Sequence, residues 1–101
     1  MDSDGQLIVD EPFDKKPENM EVMVNRTTRL LCDVAAHPPP QITWYKNDAE
    51  VRDSSRVRIL NKGKILEILG TEVDDSARYI CVARNLAGET EKSFDLDIQG
   101  E

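Results

Sequence analysis

Soft metal ligands are nearly missing from this sequence. One histidine and two cysteines among 101 residues are too few for a protein-built zinc site, which takes three or four such ligands. No metal or other cofactor is expected. Positive charge is also short, with 13 Lys and Arg against 20 Asp and Glu and a net charge of -7. Phosphate-backbone binding needs a basic footprint, so nucleic acid is not an expected partner. An acidic membrane surface would repel the chain for the same reason. No apolar run approaches the roughly 20 residues of a bilayer span. Aromatic residues are only 5% of the chain, and a chain this small buries only about two thirds of its unfolded surface. The core must be thin, and a covalent staple would help it. A signal peptide is not apparent, since Met1 is followed by Asp2-Ser3-Asp4-Gly5 rather than by basic and then apolar residues. The chain is therefore expected to be one domain of something larger. No stretch of about 10–12 residues carries a helical stripe. A single turn near residues 72–76 is the one helical candidate.

What is present is alternation, interrupted often. Residues 1–5 are polar and read as a flexible tail. Residues 6–9 read as a linker or an early edge strand. Pro12 and Pro17 exclude a central strand around them. Met20, Val22 and Val24 then alternate as a short edge strand, and Asn25-Arg26-Thr27 reads as a turn. Residues 28–36 place Leu30, Cys32 and Val34 on one face. His37-Pro38-Pro39-Pro40 breaks the chain, because proline donates no ladder hydrogen bond. Residues 41–46 form a strand by residue type, with Ile42 and Trp44 on one face, and Asn47-Asp48 turns it. Strands follow at residues 56–60 and 65–69. Between them Asn61-Lys62-Gly63-Lys64 has the chemistry of a tight hairpin. Residues 77–83 put Ala77, Tyr79, Cys81 and Ala83 on one face. Asn85-Leu86-Ala87-Gly88 turns the chain into a last strand, residues 90–98, where Phe94, Leu96 and Ile98 alternate with Asp95 and Asp97. Seven or eight short strands of this kind make an all-β sandwich or small barrel.

Several of these residues stand in a familiar order. Asp75-Ser76-Ala77-Arg78-Tyr79-Ile80-Cys81 resembles the D-x-G/A-x-Y-x-C signature of the immunoglobulin superfamily. Cys81-Val82-Ala83-Arg84-Asn85-Leu86-Ala87-Gly88 resembles the C-x-A-x-N-x-x-G ending of its intermediate, or I-set, type. Pro39-Pro40-Gln41-Ile42-Thr43-Trp44-Tyr45-Lys46 is similar to its P-P-x-I-x-W-Y-K. The resemblance covers residues 6–99 as one domain and leaves residues 100–101 as a tail. A narrower resemblance is to the repeats of the hemicentins, very long matrix proteins built of tandem I-set domains. The Pro17-Glu18-Asn19 opening, the strand after Gly63-Lys64 and above all the A-G-E-x-x-x-x-F-D-L-D ending at residues 87–97 carry it. Two positions depart from the family pattern. Ala77 stands for the commoner glycine, and Thr71 falls where an aliphatic residue is usual, so Val73 is expected to take over packing there.

The resemblance implies an immunoglobulin-like β-sandwich of two antiparallel sheets with Greek-key connections. It implies a disulfide between Cys32 and Cys81 across the sheets, with Trp44, Leu66 and Ile68 packed into the core. Muscle relatives in the reducing cytosol often keep the two thiols free, and that alternative stays open. It further implies a tyrosine corner at Tyr79 and an ion pair between Asp75 and Arg56. Alternation points Tyr45, Ile80 and Val82 away from the core, with Arg78 and Arg84 beside them, as a candidate protein-binding face. Asn25-Arg26-Thr27 is a candidate glycosylation sequon. His37 is read as a loop histidine, and Asp95 and Asp97 as a solvated face. The expected function is a non-enzymatic module of an extracellular matrix or adhesion protein. Its partners would be other proteins and neighbouring domains of the same chain. A receptor ectodomain module and a load-bearing muscle domain are the alternatives.

Overall fold

A strand whose side chains alternate apolar and polar can bury one face and wet the other, so short alternating runs separated by turns pair into layered sheets. The computed structural model describes residues 16–34 and 36–100. The tail expected at residues 1–5, the strand or linker at residues 6–9 and the break at Pro12 lie outside the described residues. Among the described residues eight strands form: β1 (Glu18–Met23), β2 (Thr28–Leu31), β3 (Gln41–Lys46), β4 (Ala49–Glu50), β5 (Val57–Leu60), β6 (Ile65–Ile68), β7 (Ala77–Asn85) and β8 (Gly88–Gln99). One 3-10 turn, Val73–Asp75, is the only helical element among the described residues. The strands divide into a five-stranded sheet, β1-β8-β7-β3-β4, and a three-stranded sheet, β2-β6-β5. β1 runs parallel to β8, so the five-stranded sheet is mixed at that edge rather than antiparallel throughout as expected, and the other pairs are antiparallel. The chain changes sheet after β1, β2, β4 and β6, which gives the expected all-β sandwich with Greek-key connections.

The inward faces meet in one core. Leu30, Cys32 and Val34 come from β2 and its continuation, Leu66 and Ile68 from β6, Trp44 from β3, Tyr79, Cys81 and Ala83 from β7, and Phe94, Leu96 and Ile98 from β8. Trp44 is 0% exposed and lies against Phe94 with ring centroids 5.6 Å apart. Its indole N–H donates to the Gly63 carbonyl at 2.7 Å. A buried indole therefore leaves no polar atom unpaired, which lets one large ring fill a core short of aromatics. Gly63 is required where it stands. Its φ is +94°, and a Cβ there would lie 2.9 Å from the Ile42 Cβ.

The structure adjusts the expected elements: β6 ends one residue early at Ile68, β7 and β8 extend to Asn85 and from Gly88 because they pair up to the turn, and further places differ as follows. Pairing of β2 stops at Leu31, because β6 begins at Ile65 and the tight turn before it offers only the Lys64 carbonyl, to Cys32 N–H at 2.7 Å. Cys32 and Val34 still point inward. The strand expected from Arg56 begins at Val57, although the Arg56 carbonyl still accepts from Leu69 N–H at 2.7 Å. β4 has only two residues, too few for alternation to show in the sequence. Val73 does not take over the packing at Thr71: it is 57% exposed, whereas Thr71 is 0% exposed. Thr71 keeps the buried position because its hydroxyl is satisfied, donating to the Met23 carbonyl at 2.7 Å and accepting from Arg26 N–H at 3.0 Å.

Candidate protein-binding face

The residues singled out in the sequence fall into a framework inside the sandwich and a face on the outside. Inside, Cys32 and Cys81 form a disulfide that crosses between the sheets, with Cα atoms 6.2 Å apart. Asp75 closes the 3-10 turn and is buried. Arg56 Nη2 donates to Asp75 Oδ2 at 2.6 Å and to the Gly70 carbonyl at 3.2 Å, and the Glu72 N–H donates to the same carboxylate oxygen at 2.7 Å. The hydrogen bond to Asp75 raises the Arg56 pKa further above its usual range. The Tyr79 hydroxyl donates to the Asp75 carbonyl at 2.7 Å. Burial, helped by the Asp75 charge and opposed by Arg56, pushes the Tyr79 pKa far above its ordinary value. The corner thus ties Arg56, just before β5, to the 3-10 turn and β7.

Outside, the register of the five-stranded sheet assembles the face. Tyr45 is paired with Ile80, and Thr43 with Val82, across β3 and β7. Tyr45, Ile80 and Val82 are half-buried rather than open, because long side chains stand beside them. Arg78 makes a two-pronged pair with Asp95, Nε to Oδ1 at 2.7 Å and Nη2 to Oδ2 at 3.0 Å. That contact raises the Arg78 pKa and lowers that of Asp95. Arg84 Nε donates to Glu89 Oε1 at 3.0 Å. The result is a short apolar strip framed by two ion pairs, with Glu91 opposite Val82 on β8. A shallow depression lies over it, lined by Tyr45, Asp48, Ile80, Val82, Arg84 and Glu91 among others. Such an apolar centre with a polar, charged rim suits protein contact.

Sequence reasoning missed the acidic half of this frame, although the signal was present. Once the turn is placed between Asn85 and Gly88, counting outward along the hairpin sets Arg84 opposite Glu89 and Arg78 opposite Asp95. Asp95 is thus an ion-pair partner rather than merely solvated. Lys46 was also missed; its Nζ donates to the Asp74 carbonyl at 3.0 Å. Asn25 is exposed in its turn with φ of 64°. His37 is exposed, and its peptide bond to Pro38 is cis. Among the described residues no group of three His, Cys, Asp or Glu side chains could hold a metal ion.

This architecture and these motifs match known proteins. The model of the immunoglobulin I-set domain matches residues 11–98. The chain belongs to the immunoglobulin I-set family. Mouse hemicentin-1 is 41% identical over 80 residues, 79% of this chain and 1% of its own length. Mouse hemicentin-2 is 43% identical over 82 residues, 81% of this chain and 2% of its own length. The chain thus corresponds to a very small part of the relatives it matches. Among solved structures, titin M4 superposes with a TM-score of 0.78 at 27% identity, covering 98% of this chain and 99% of that one. I-set domains are protein-interaction modules of a generally non-enzymatic family, and similar solved structures hold them in tandem. No helix among the described residues is long and apolar enough to cross a membrane.

Proposed function

We propose that this chain is a non-enzymatic I-set module of a large hemicentin-like protein of the extracellular matrix or of cell adhesion. The module runs from residue 6 to residue 99. It acts by contact and by spacing: the Tyr45, Ile80 and Val82 strip, framed by Arg78 and Arg84, takes a protein partner while the sandwich holds neighbouring domains apart. The observation that carries this reading is identity above 40% with hemicentins that are very much longer than the chain. Two further features support it. β1 enters and β8 leaves in the same direction, which suits head-to-tail arrays. The Cys32–Cys81 bond belongs in an oxidising compartment.

The fold is common to matrix, receptor and muscle modules, as the titin match illustrates, so the test must act on redox state and on the face. Thiol titration of denatured protein from its native source is expected to find no free thiol. Two free thiols would replace this reading with a load-bearing intracellular module. A Tyr45→Ala, Ile80→Ser double variant in the full parent chain is expected to fold and to lose crosslinks between this domain and its partners. Unchanged crosslinking would show that the face carries no partner.

A further inference from the structure

The turn between β1 and β2 is exposed along its whole length at Asn25, Arg26 and Thr27. Its backbone is held firmly from below. Asn25 N–H donates to the Thr71 carbonyl at 2.8 Å, and Thr71 N–H donates to the Arg26 carbonyl at 2.9 Å. The side chains of Asn25 and Thr27, by contrast, engage no hydrogen bond among the described residues. A left-handed φ of 64° explains why an asparagine fits position 25. It does not explain Thr27, an exposed residue whose hydroxyl makes no hydrogen bond among the described residues. The two together make the Asn-x-Thr acceptor triplet of N-linked glycosylation, which belongs on a surface turn.

We infer that Asn25 is an N-glycan acceptor, and that its glycan stands at the pole where β8 leaves the domain. The position follows from the register. Met23 pairs with Gln99 at the end of β8, and Val24 N–H donates to the Gln99 carbonyl at 3.0 Å. β8 begins at Gly88, at the far pole, about 36 Å away by strand rise. A glycan on Asn25 therefore crowds the exit side and lies far from the Pro38–Leu86 pole. Linkage forms between the Asn25 side-chain nitrogen and the first sugar carbon of a lipid-pyrophosphate oligosaccharide donor. The lipid pyrophosphate leaves, and the amide loses one proton. Use of the site in nature rests on the extracellular reading above, but its competence as an acceptor can be tested apart from it.

The test is to secrete the chain from mammalian cells behind an added signal peptide and to read intact mass before and after peptide N-glycosidase. A glycan mass removed by the enzyme, with Asn25 converted to Asp in the peptide map, is expected. Asn25→Asp and Thr27→Ala should each abolish the modification, and Thr27→Ser should retain it. Asp also tolerates the left-handed turn, so loss in that variant is not a folding defect, and thermal melts check this. Folded, secreted wild-type protein with bare Asn25 overturns the inference while leaving the matrix reading to the thiol titration.

Discussion

Tyr79 shows how one side chain can be read both from sequence and from its surroundings. Its place two residues before Cys81 identified it as a corner residue, and its hydroxyl closes onto the Asp75 carbonyl. A phenol held neutral by burial has a folded pKa above its ordinary value of 10.0. Its contribution to stability is complete below that ordinary value and is lost as pH rises toward the folded one. Tyr79→Phe should therefore cost about 1 kcal/mol near neutrality, through the lost hydrogen bond. The gap between wild type and variant should narrow between about pH 9 and about pH 11, as unfolded tyrosine ionises. Urea midpoints across that range check it; a gap independent of pH would mean that the hydroxyl is not held neutral. Thr71 is the opposite case. As a departure from the family pattern it suggested lost packing, and only the positions of Met23 O and Arg26 N showed that its hydroxyl is satisfied.

At the scale of elements, the hairpins were the most legible parts. Asn61-Lys62-Gly63-Lys64 has the residues that tolerate positive φ, and all of Asn61, Lys62 and Gly63 adopt it. The second role of Gly63, as acceptor for Trp44, depends on a strand about twenty residues earlier and is invisible locally. Gly63→Ala should cost roughly 1–3 kcal/mol from strain at positive φ and crowding against Ile42. It should also shift the Trp44 emission, as the strained turn moves the residue 63 carbonyl relative to the indole N–H. A variant with unchanged midpoint and emission would contradict this account. The cross-strand ion pairs of β7 and β8 were readable from the hairpin alone. Pairing of Tyr45 with Ile80 was not, since β3 and β7 are joined by the register of two distant segments. β4 left no signal, because two residues cannot alternate.

For the whole molecule, the disulfide is the largest single constraint. It closes a sequence separation of 49 residues, which corresponds to about 4 kcal/mol of chain entropy in the unfolded state. A domain of this size has only about 5–15 kcal/mol of net stability. Cys32→Ala with Cys81→Ala should lower stability by about 2–5 kcal/mol and the melting temperature by roughly 10–30 °C. A calorimetric scan of the double variant measures it. A loss below about 1 kcal/mol would show that Trp44 and its neighbours hold the sandwich unaided.

The sequence by itself determined that this is a sandwich of short strands, where most of them lie, and which residues point inward. Alternation and turn chemistry are local properties, and the Cys, Trp and Tyr order is particular enough to name the family. Tertiary structure alone decided the surroundings of the outward residues on strands far apart in sequence. Whether Tyr45 stands open or half-covered, and which pole holds Asn25, depend on strand register and on the neighbours that register brings together. The low aromatic content is reconciled at the same level: one indole suffices because a glycine carbonyl from another strand connection meets its only polar atom.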